Sequence, residues 1–295
     1  MEDTIGIVGQ GFVGTAVHEG MKGAYRIATY DKYLTDRSSC ASLADLAGKA
    51  SIIFVCVPTP MRRDGSCDTS IVESVVRDLS KVSTHHIVAI KSTVPPGTTD
   101  RLNALFGTGS KCEDRQNGSE FQVVFQPEFL TEATANADFA NQNRIIIGGP
   151  RPATTVLRQI FHRVFPEIPI VKTSAKIAEL CKYVTNTFLA TKVAFANEMY
   201  QICQALGDDV DYDKVIEYAK LDPRLGNSHW AVPGPDGQYG YGGHCLPKDL
   251  NSLMFLAKTL GVDPKVLRGA WDKNLEVRTD RDWEAMKGRA VVDDE

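Results

Sequence analysis

Cys245 stands in the run Tyr239-Gly240-Tyr241-Gly242-Gly243-His244-Cys245-Leu246-Pro247-Lys248-Asp249. Its thiol follows two glycines and precedes a proline that could open a helix, where backbone N–H groups and the helix dipole favour a thiolate. A thiolate can carry the covalent intermediate that splits one difficult oxidation into two accessible steps. An inert buried cysteine in a Gly-rich turn is the other reading of the same run. Lys182 and Asn186 lie four apart in a helical pattern, so they share a face and could together meet a developing oxyanion. Their neighbours Val184, Phe188 and Leu189 leave open whether that face is buried or solvated. Glu128 and Glu132 follow an apolar strand, again four apart; on a helix they would share a face, and otherwise they are solvated acids. Thr93 offers a hydroxyl for a ligand or an ordered water, or simply a satisfied loop hydroxyl.

Such groups need a scaffold, and the first part of the chain reads as one that binds a dinucleotide. Thr4 to Val8 is an apolar strand, followed by Gly9-Gln10-Gly11-Phe12-Val13-Gly14 and helical spacing through Val17 and Met21. In such a turn the first glycine permits the bend, the second lets a pyrophosphate approach, and the third lets helix and strand pack closely. A second strand, Arg26 to Tyr30, ends at Asp31, placed to accept hydrogen bonds from an adenosine ribose, with Lys32 beside it. An acid there repels a 2′-phosphate, so NAD is the expected cofactor. Ser51 to Val57 is a near-continuous apolar run, the mark of a strand buried on both faces of a parallel sheet. It ends in Pro58-Thr59-Pro60, a stiff loop at the carboxyl edge where open α/β sheets bind ligands. Further strands are expected over 86–90, 121–125, 144–148 and 168–172, with helices from 68 or 69 to 79, from Thr98, and over 153–162. Residues 107–119 read as a surface loop.

Ser174 is the expected N-cap of a helix running to Leu206, with Gly207 as its stop. At about 1.5 Å per residue it would span roughly 50 Å, more than a small domain needs, which fits a dimer spine. A short helix over 212–220 precedes the Gly- and Pro-rich loop 221–244, which contains Arg224 and His229; loops this long are usually functional. Helices are expected over 250–260 and 264–286, then an acidic tail at 291–295. The fold class is therefore α/β: a Rossmann-like doubly wound parallel sheet over 1–173, then an all-α domain over 174–295 that carries Cys245.

Composition narrows the partners. The 295 residues are 43% apolar and 24% charged, with net charge −4 and no basic tract, so the electrostatic footprint of nucleic-acid binding is missing. No apolar run approaches bilayer length and no cationic leader opens the chain, so a cytoplasmic protein with no membrane partner is expected. Seven cysteines at irregular spacing make neither a disulfide framework nor a metal motif.

Taken together, the Gly-rich turn with Asp31, Val57-Pro58-Thr59-Pro60, Lys91-Ser92-Thr93-Val94-Pro95, Pro127-Glu128-Phe129-Leu130, the Lys182/Asn186 helix, Asp222-Pro223-Arg224-Leu225-Gly226 and Gly242-Gly243-His244-Cys245-Leu246-Pro247-Lys248-Asp249 resemble the UDP-glucose/GDP-mannose dehydrogenase family across essentially the whole chain. The resemblance implies NAD-dependent four-electron oxidation of a nucleotide sugar, most closely UDP-glucose to UDP-glucuronate, consuming two NAD+ and one water. It implies that Cys245 is the nucleophile, holding the substrate as a thiohemiacetal and then a thioester. Lys182 and Asn186 would stabilise the oxyanion, and Glu128 would activate the hydrolytic water held by Thr93 and Asp249. Pro58, Thr59, Thr93, Glu132 and Lys248 would join the Gly-rich turn around the cofactor. Phe129, Leu130, Arg224, Tyr239, Gly242 and His244 would join Glu128, Lys182 and Asn186 around the substrate, within a homodimer formed through the 174–206 helix. Met61 departs from the family, where a threonine often stands, and the family's third, nucleotide-gripping domain has no counterpart in this sequence. Two other readings share parts of the pattern. A two-domain β-hydroxyacid dehydrogenase has a Lys-x-x-x-Asn pair but makes a single hydride transfer without a cysteine. A non-catalytic NAD-binding dimeric subunit would not be expected to keep every catalytic residue type.

Overall fold

The computed structural model describes residues 4–82, 85–108 and 120–293, so most of the expected 107–119 loop lies outside the described residues. The chain forms two compact units: residues 1–59 with 69–182, and residues 60–68 with 183–295.

The first unit contains β1 (Thr4–Val8), α1 (Phe12–Met21), β2 (Arg26–Tyr30), α2 (Leu43–Lys49), β3 (Ile52–Val55), α3 (Ser70–Val82), β4 (His85–Ile90), α4 (Thr98–Phe106), β5 (Glu120–Phe125), α5 (Ala135–Ala140), β6 (Ile145–Gly148), α6 (Ala153–Val164) and β7 (Ile170–Thr173). The strands form one sheet in the order β2-β1-β3-β4-β5-β6-β7. Because side chains alternate along a strand, the continuous apolar runs feed two cores. Ile53, Val55, Val88, Ile90, Val123 and Phe125 pack with Leu46, Val72, Val76, Leu79 and Leu102. Ile5, Ile7, Ile52, Phe54, Ala89 and Val124 pack with Ala16, Val17, Met21, Phe139, Leu157 and Phe161 on the other face. Each large side chain so buried contributes about 1.5–3 kcal/mol. The expected doubly wound parallel sheet is present, with one antiparallel pairing, β5 with β6 through Phe125 and Gly148. The strand order reverses at β1, flanked by β2 and β3, which makes the carboxyl end of β1 the topological switch point where such sheets bind ligands.

Helix α7 (Ala175–Leu206) begins in the first unit and continues into the second. By its contacts the first unit runs past residue 173 to Lys182, through the first turns of α7, and the packing explains why. Ala178 and Cys181 in the first turns of α7 belong to the sheet's core. Glu179 accepts the Gly97 and Thr99 N–H groups at 2.6 and 2.8 Å, placing a carboxylate at the amino end of α4.

The second unit comprises the rest of α7, α8 (Tyr212–Ala219), α9 (Cys245–Thr259), α10 (Lys265–Val277) and α11 (Asp282–Ala285). Ala190 and Ala194 on α7 pack with Tyr241, Leu250, Met254 and Ala270; Ala196 and Cys203 pack with Tyr212, Ile216, Trp230 and Val232. Three expectations change. Helix α9 starts at Cys245, five residues before the expected Leu250. The expected 264–286 helix stops at Val277 because Arg278 turns extended (φ −93°, ψ 113°) and buries its guanidinium. The described part of the expected acidic tail instead pairs, residues 294 and 295 lying outside the described residues: Met61 N–H donates to Ala290 O, just before the tail, at 2.8 Å and Val292 N–H to Met61 O at 2.9 Å, and Met61 belongs to the second unit. Among the described residues no helix is long and apolar enough to cross a membrane.

Candidate active site

The Gly9–Gly14 turn leaves β1 at the switch point. Gly9 has φ +90°, and a Cβ there would lie 2.5 Å from Cys56 O; a Cβ on Gly14 would lie 1.9 Å from Gly9 O. Both positions therefore require glycine, while a Cβ on Gly11 would meet nothing within 4 Å. With no side chain over the cap at Gly11, the amino end of α1, led by Phe12 and Val13, can receive a phosphate on backbone N–H groups. Asp31 accepts Gln10 N–H at 2.7 Å on one oxygen and the Tyr33 and Leu34 N–H groups at 2.8 and 2.9 Å on the other. Burial works to raise its pKa, but these bonds and the Arg37 charge outweigh it and hold the carboxyl below its usual range. Lys32 is exposed over the Tyr33 ring. At the same sheet edge Thr59 Oγ1 donates to Thr93 O at 2.8 Å, with both residues buried and Pro58 exposed. The turn thus fits a dinucleotide: backbone room at Gly11, uncapped N–H groups, and an ionised acid at the end of β2.

Glu128 and Glu132 do not share a face. Residues 127–131 are not helical, because Glu128 Oε2 accepts Leu130 N–H at 2.5 Å and shapes a turn. Glu128 Oε1 accepts Lys182 Nζ at 2.9 Å, an ion pair with both side chains buried. Glu132 is exposed. Lys182 also faces the Phe129 ring at 5.6 Å, which Arg144 covers at 4.0 Å, while Leu130 packs on the sheet core.

In the second unit Cys245 is the first residue of α9, partly exposed. One turn on, Asp249 is fully buried: it accepts Asn186 Nδ2 at 2.6 Å on one oxygen and Lys248 Nζ on the other. Desolvation alone would lower the Lys248 pKa, yet Asp249, with Cys67 and Cys245, raises it above the ordinary lysine value, so Lys248 stays a cation. The turn leading to Cys245 is held by distant side chains. Gly240 N–H donates to Asn197 Oδ1 at 3.1 Å, Tyr241 N–H to Asn274 Oδ1 at 2.7 Å, and Gly243 N–H to Asp282 Oδ2 at 2.9 Å. Arg278 braces Asp282 at 3.2 Å, and its Nη1 forms an ion pair with Asp236 at 2.9 Å. A Cβ on Gly242 would lie 2.1 Å from Arg278 Nη2. His244 precedes Cys245 with helical backbone angles. Arg224 and Tyr239 engage other groups: Arg224 pairs with Asp222 in an exposed turn, and Tyr239 lays its ring on Tyr200 at 5.7 Å.

Sequence reasoning missed Asn197, Asn274, Arg278 and Asp282. Their only local signal is the i, i+4 spacing of Asn274, Arg278 and Asp282, which reads as an ordinary polar helix face.

A doubly wound sheet with a dinucleotide turn, joined by one long helix to a helical unit presenting a cysteine at a helix start, defines a nicotinamide-nucleotide dehydrogenase architecture. Residues 28–168 match the NAD binding domain of the UDP-glucose/GDP-mannose dehydrogenase family, and residues 176–276 match its central domain. The chain belongs to that family and carries its NAD-binding domain. It is 37% identical over 223 residues to a putative UDP-glucose 6-dehydrogenase of Bacillus subtilis, a match covering 74% of this chain and 48% of that protein. It is 32% identical over 237 residues to a GDP-mannose 6-dehydrogenase of Pseudomonas syringae, covering 78% of this chain and 52% of that one. The solved UDP-glucose dehydrogenase of Pyrobaculum islandicum superposes with a TM-score of 0.81 at 28% identity, over 93% of this chain and 68% of that structure. The chain thus spans about half the length of the curated relatives it matches.

Proposed function

We propose that this protein oxidises a nucleotide sugar, UDP-glucose first, at its C6 alcohol to the carboxylate, through a covalent Cys245 intermediate. The observation that carries the reading is helix α7, which buries Lys182 and Asn186 one turn apart, each bound to a carboxylate: Glu128 at 2.9 Å and Asp249 at 2.6 Å. NAD+, when bound, supplies the hydride acceptor for each of the two oxidations. The Cys245 thiolate forms an S–C bond to the C6 aldehyde, and the carbonyl electrons become an oxyanion met by the Lys182 ammonium and the Asn186 amide. After the second oxidation C6 is a thioester. Glu128 takes a proton from water as the water oxygen attacks C6, and the C–S bond breaks to return the thiolate. Thr93 and Asp249 orient that water, and Lys248 holds Asp249. Arg224, exposed on its turn, reaches toward a second copy.

The same reading pairs two copies through α7, where Val184, Phe188, Phe195, Ile202 and Leu206 are all exposed at coiled-coil-like spacing. A monomer that left this stripe in water would be unusual. The test is NADH formed per sugar nucleotide consumed, across UDP-glucose, GDP-mannose and UDP-N-acetyl sugars. Two NADH per UDP-glucose are expected; a stoichiometry of one, or no NADH with any of them, overturns the proposal.

A further inference from the structure

Lys91 follows directly on β4, and none of the steps above uses it. Its side chain is 2% exposed yet ends in an amine. Nζ donates to Gln126 Oε1 at 2.5 Å and lies over the rings of Phe54 and Phe139, 5.9 and 5.8 Å from their centroids. Buried charges are normally matched by a counter-ion in direct contact, because an unmatched one costs several kcal/mol of desolvation. Here the hydrogen-bond acceptor is a neutral amide, and aromatic faces supply the rest of the shell. The charged and titratable groups around it are Cys56 just beyond β3, Glu128 after β5, and Lys182 on α7. Cys56 is neutral, its thiol pushed up to about 12 by desolvation.

Gln126 connects this cation to the candidate base. While Oε1 accepts from Lys91, Nε2 donates to Pro127 O at 2.7 Å, the peptide that leads into Glu128. The amide cannot reverse without losing both bonds.

We propose that Lys91 is a positioning residue for Glu128: its ammonium locks the Gln126 amide, which holds the Pro127–Glu128 peptide, and adds a second positive charge to that of Lys182 near the Glu128 carboxylate. The proposal rests on the dehydrogenase reading for its catalytic consequence only. Burial first, with the Lys182 charge adding to it and the Glu128 carboxylate opposing, pulls Lys91 down from the ordinary 10.5 to about 8. The unfolded chain therefore holds the proton more tightly than the folded one. The cost of burying Lys91 is fully present below about pH 8 and is relieved as pH rises toward 10.5.

The experiment compares wild type with Lys91→Met and Lys91→Arg. In urea unfolding, Lys91→Met is expected to be at least as stable as wild type at pH 7, with any advantage shrinking toward pH 10. A difference that does not change with pH overturns the buried-cation premise. In single-turnover assays with UDP-glucose, Lys91→Met is expected to slow the hydrolytic phase about tenfold while leaving the first NADH and NAD+ affinity unchanged. The wild-type inflection near pH 8 should vanish from the hydrolytic phase in Lys91→Met and be absent in Lys91→Arg, which keeps its charge. Equal slowing of both phases with an unmoved pH profile would reduce Lys91 to packing and overturn the proposal. If wild type yields no NADH from any sugar nucleotide, the dehydrogenase reading fails and the proposal is decided by amide hydrogen exchange. Residues 126–130 should then exchange about tenfold faster in Lys91→Met, and unchanged exchange overturns it. Should Lys91→Met not fold, Gln126→Met severs the same relay and is read by the same assays.

Discussion

Two glycine-rich turns each lead into a helix, and they solve the problem differently. At Gly9–Gly14 the crowding is local or from an adjacent strand: Gly14 faces the Gly9 carbonyl, Gly9 faces the Cys56 carbonyl at the end of β3, and Gly11 faces open space. At Gly240–Gly243 the crowding comes from side chains far later in the chain, Asn274 against Gly240 and Arg278 against Gly242, with Asp282, 39 residues on, bound to Gly243 N–H. The first turn leaves room for a ligand on bare backbone. The second leaves room for its own supports and thereby fixes where Cys245 sits. A binding turn can be self-contained, whereas a turn that aims a nucleophile needs external bracing.

The largest expected effect removes the chemistry from the second turn and leaves the first alone. Cys245→Ser exchanges a good leaving group for a poor one, so steady-state turnover should fall on the order of a thousand-fold or more, while NAD+ binding persists. Intact mass should show a covalent sugar adduct. Full activity in this variant would remove the thiol from the mechanism. The mirror experiment is Gly14→Ala, whose Cβ would sit 1.9 Å from Gly9 O. Backbone on both sides cannot yield cheaply, so a stability loss on the order of 3 kcal/mol and weakened NAD+ binding are expected by urea melts and titration. Unchanged NAD+ affinity in a folded Gly14→Ala protein would show that the turn does not hold the pyrophosphate.

The same contrast explains what could be read in the sequence. The first turn's signal is contiguous: strand, three glycines, helix, strand and Asp31 within about thirty residues, each dictated by local geometry. The alternation of Ile52, Ile53, Phe54 and Val55 between two cores follows as directly, since a strand buried on both faces has to be apolar throughout. The second turn's bracing was invisible because Asn274, Arg278 and Asp282 look like a solvated helix face until the chain folds back. The break at Arg278 was missed for the same reason, as no proline or glycine marks it. The spacing of Glu128 and Glu132 left a shared helix face open, and only the fold closes that option, because the Glu128 side chain captures its own Leu130 N–H. Lys91 sat inside a recognised motif, yet nothing local distinguishes a buried lysine from an exposed one.

If bracing is what the second turn needs, Arg278→Ala should disclose it. The substitution frees Asp282 and opens space beside Gly242. A stability loss of about 2–3 kcal/mol is expected, with kcat down about tenfold to a hundredfold and NAD+ affinity unchanged. Asn274→Ala should behave alike, since it releases both the Tyr241 N–H and the Tyr241 carbonyl. Loss of NAD+ affinity in either variant would contradict the division of labour between the turns.

The smallest expected effect lies in the first turn, where Asp31 does two things at once. Its oxygens accept three backbone N–H groups, from Gln10, Tyr33 and Leu34, which ties the end of β2 to the glycine turn. The same carboxylate would face a 2′-phosphate, and its lowered pKa keeps it ionised at neutral pH. NAD+ should therefore bind more tightly than NADP+, by about tenfold or 1.4 kcal/mol. Arg37, whose Nη1 donates to Gln10 O at 3.2 Å, places a cation close enough to soften that repulsion. Arg37→Ala should then widen the preference and Asp31→Asn should narrow it, both read as the ratio of Kd values so that any general loosening of the turn cancels. The sign with pH follows from the lowered carboxyl: whatever Asp31 contributes is present above the usual carboxylate range and is lost as pH falls through its folded pKa. The NAD+ preference should accordingly hold flat from pH 9 to pH 7, above the value of about 6 at which a 2′-phosphate takes up a proton of its own. A preference that collapses within that interval would assign discrimination to another group, and equal affinity for the two cofactors at neutral pH would remove Asp31 from cofactor selection while leaving its three backbone bonds as its role.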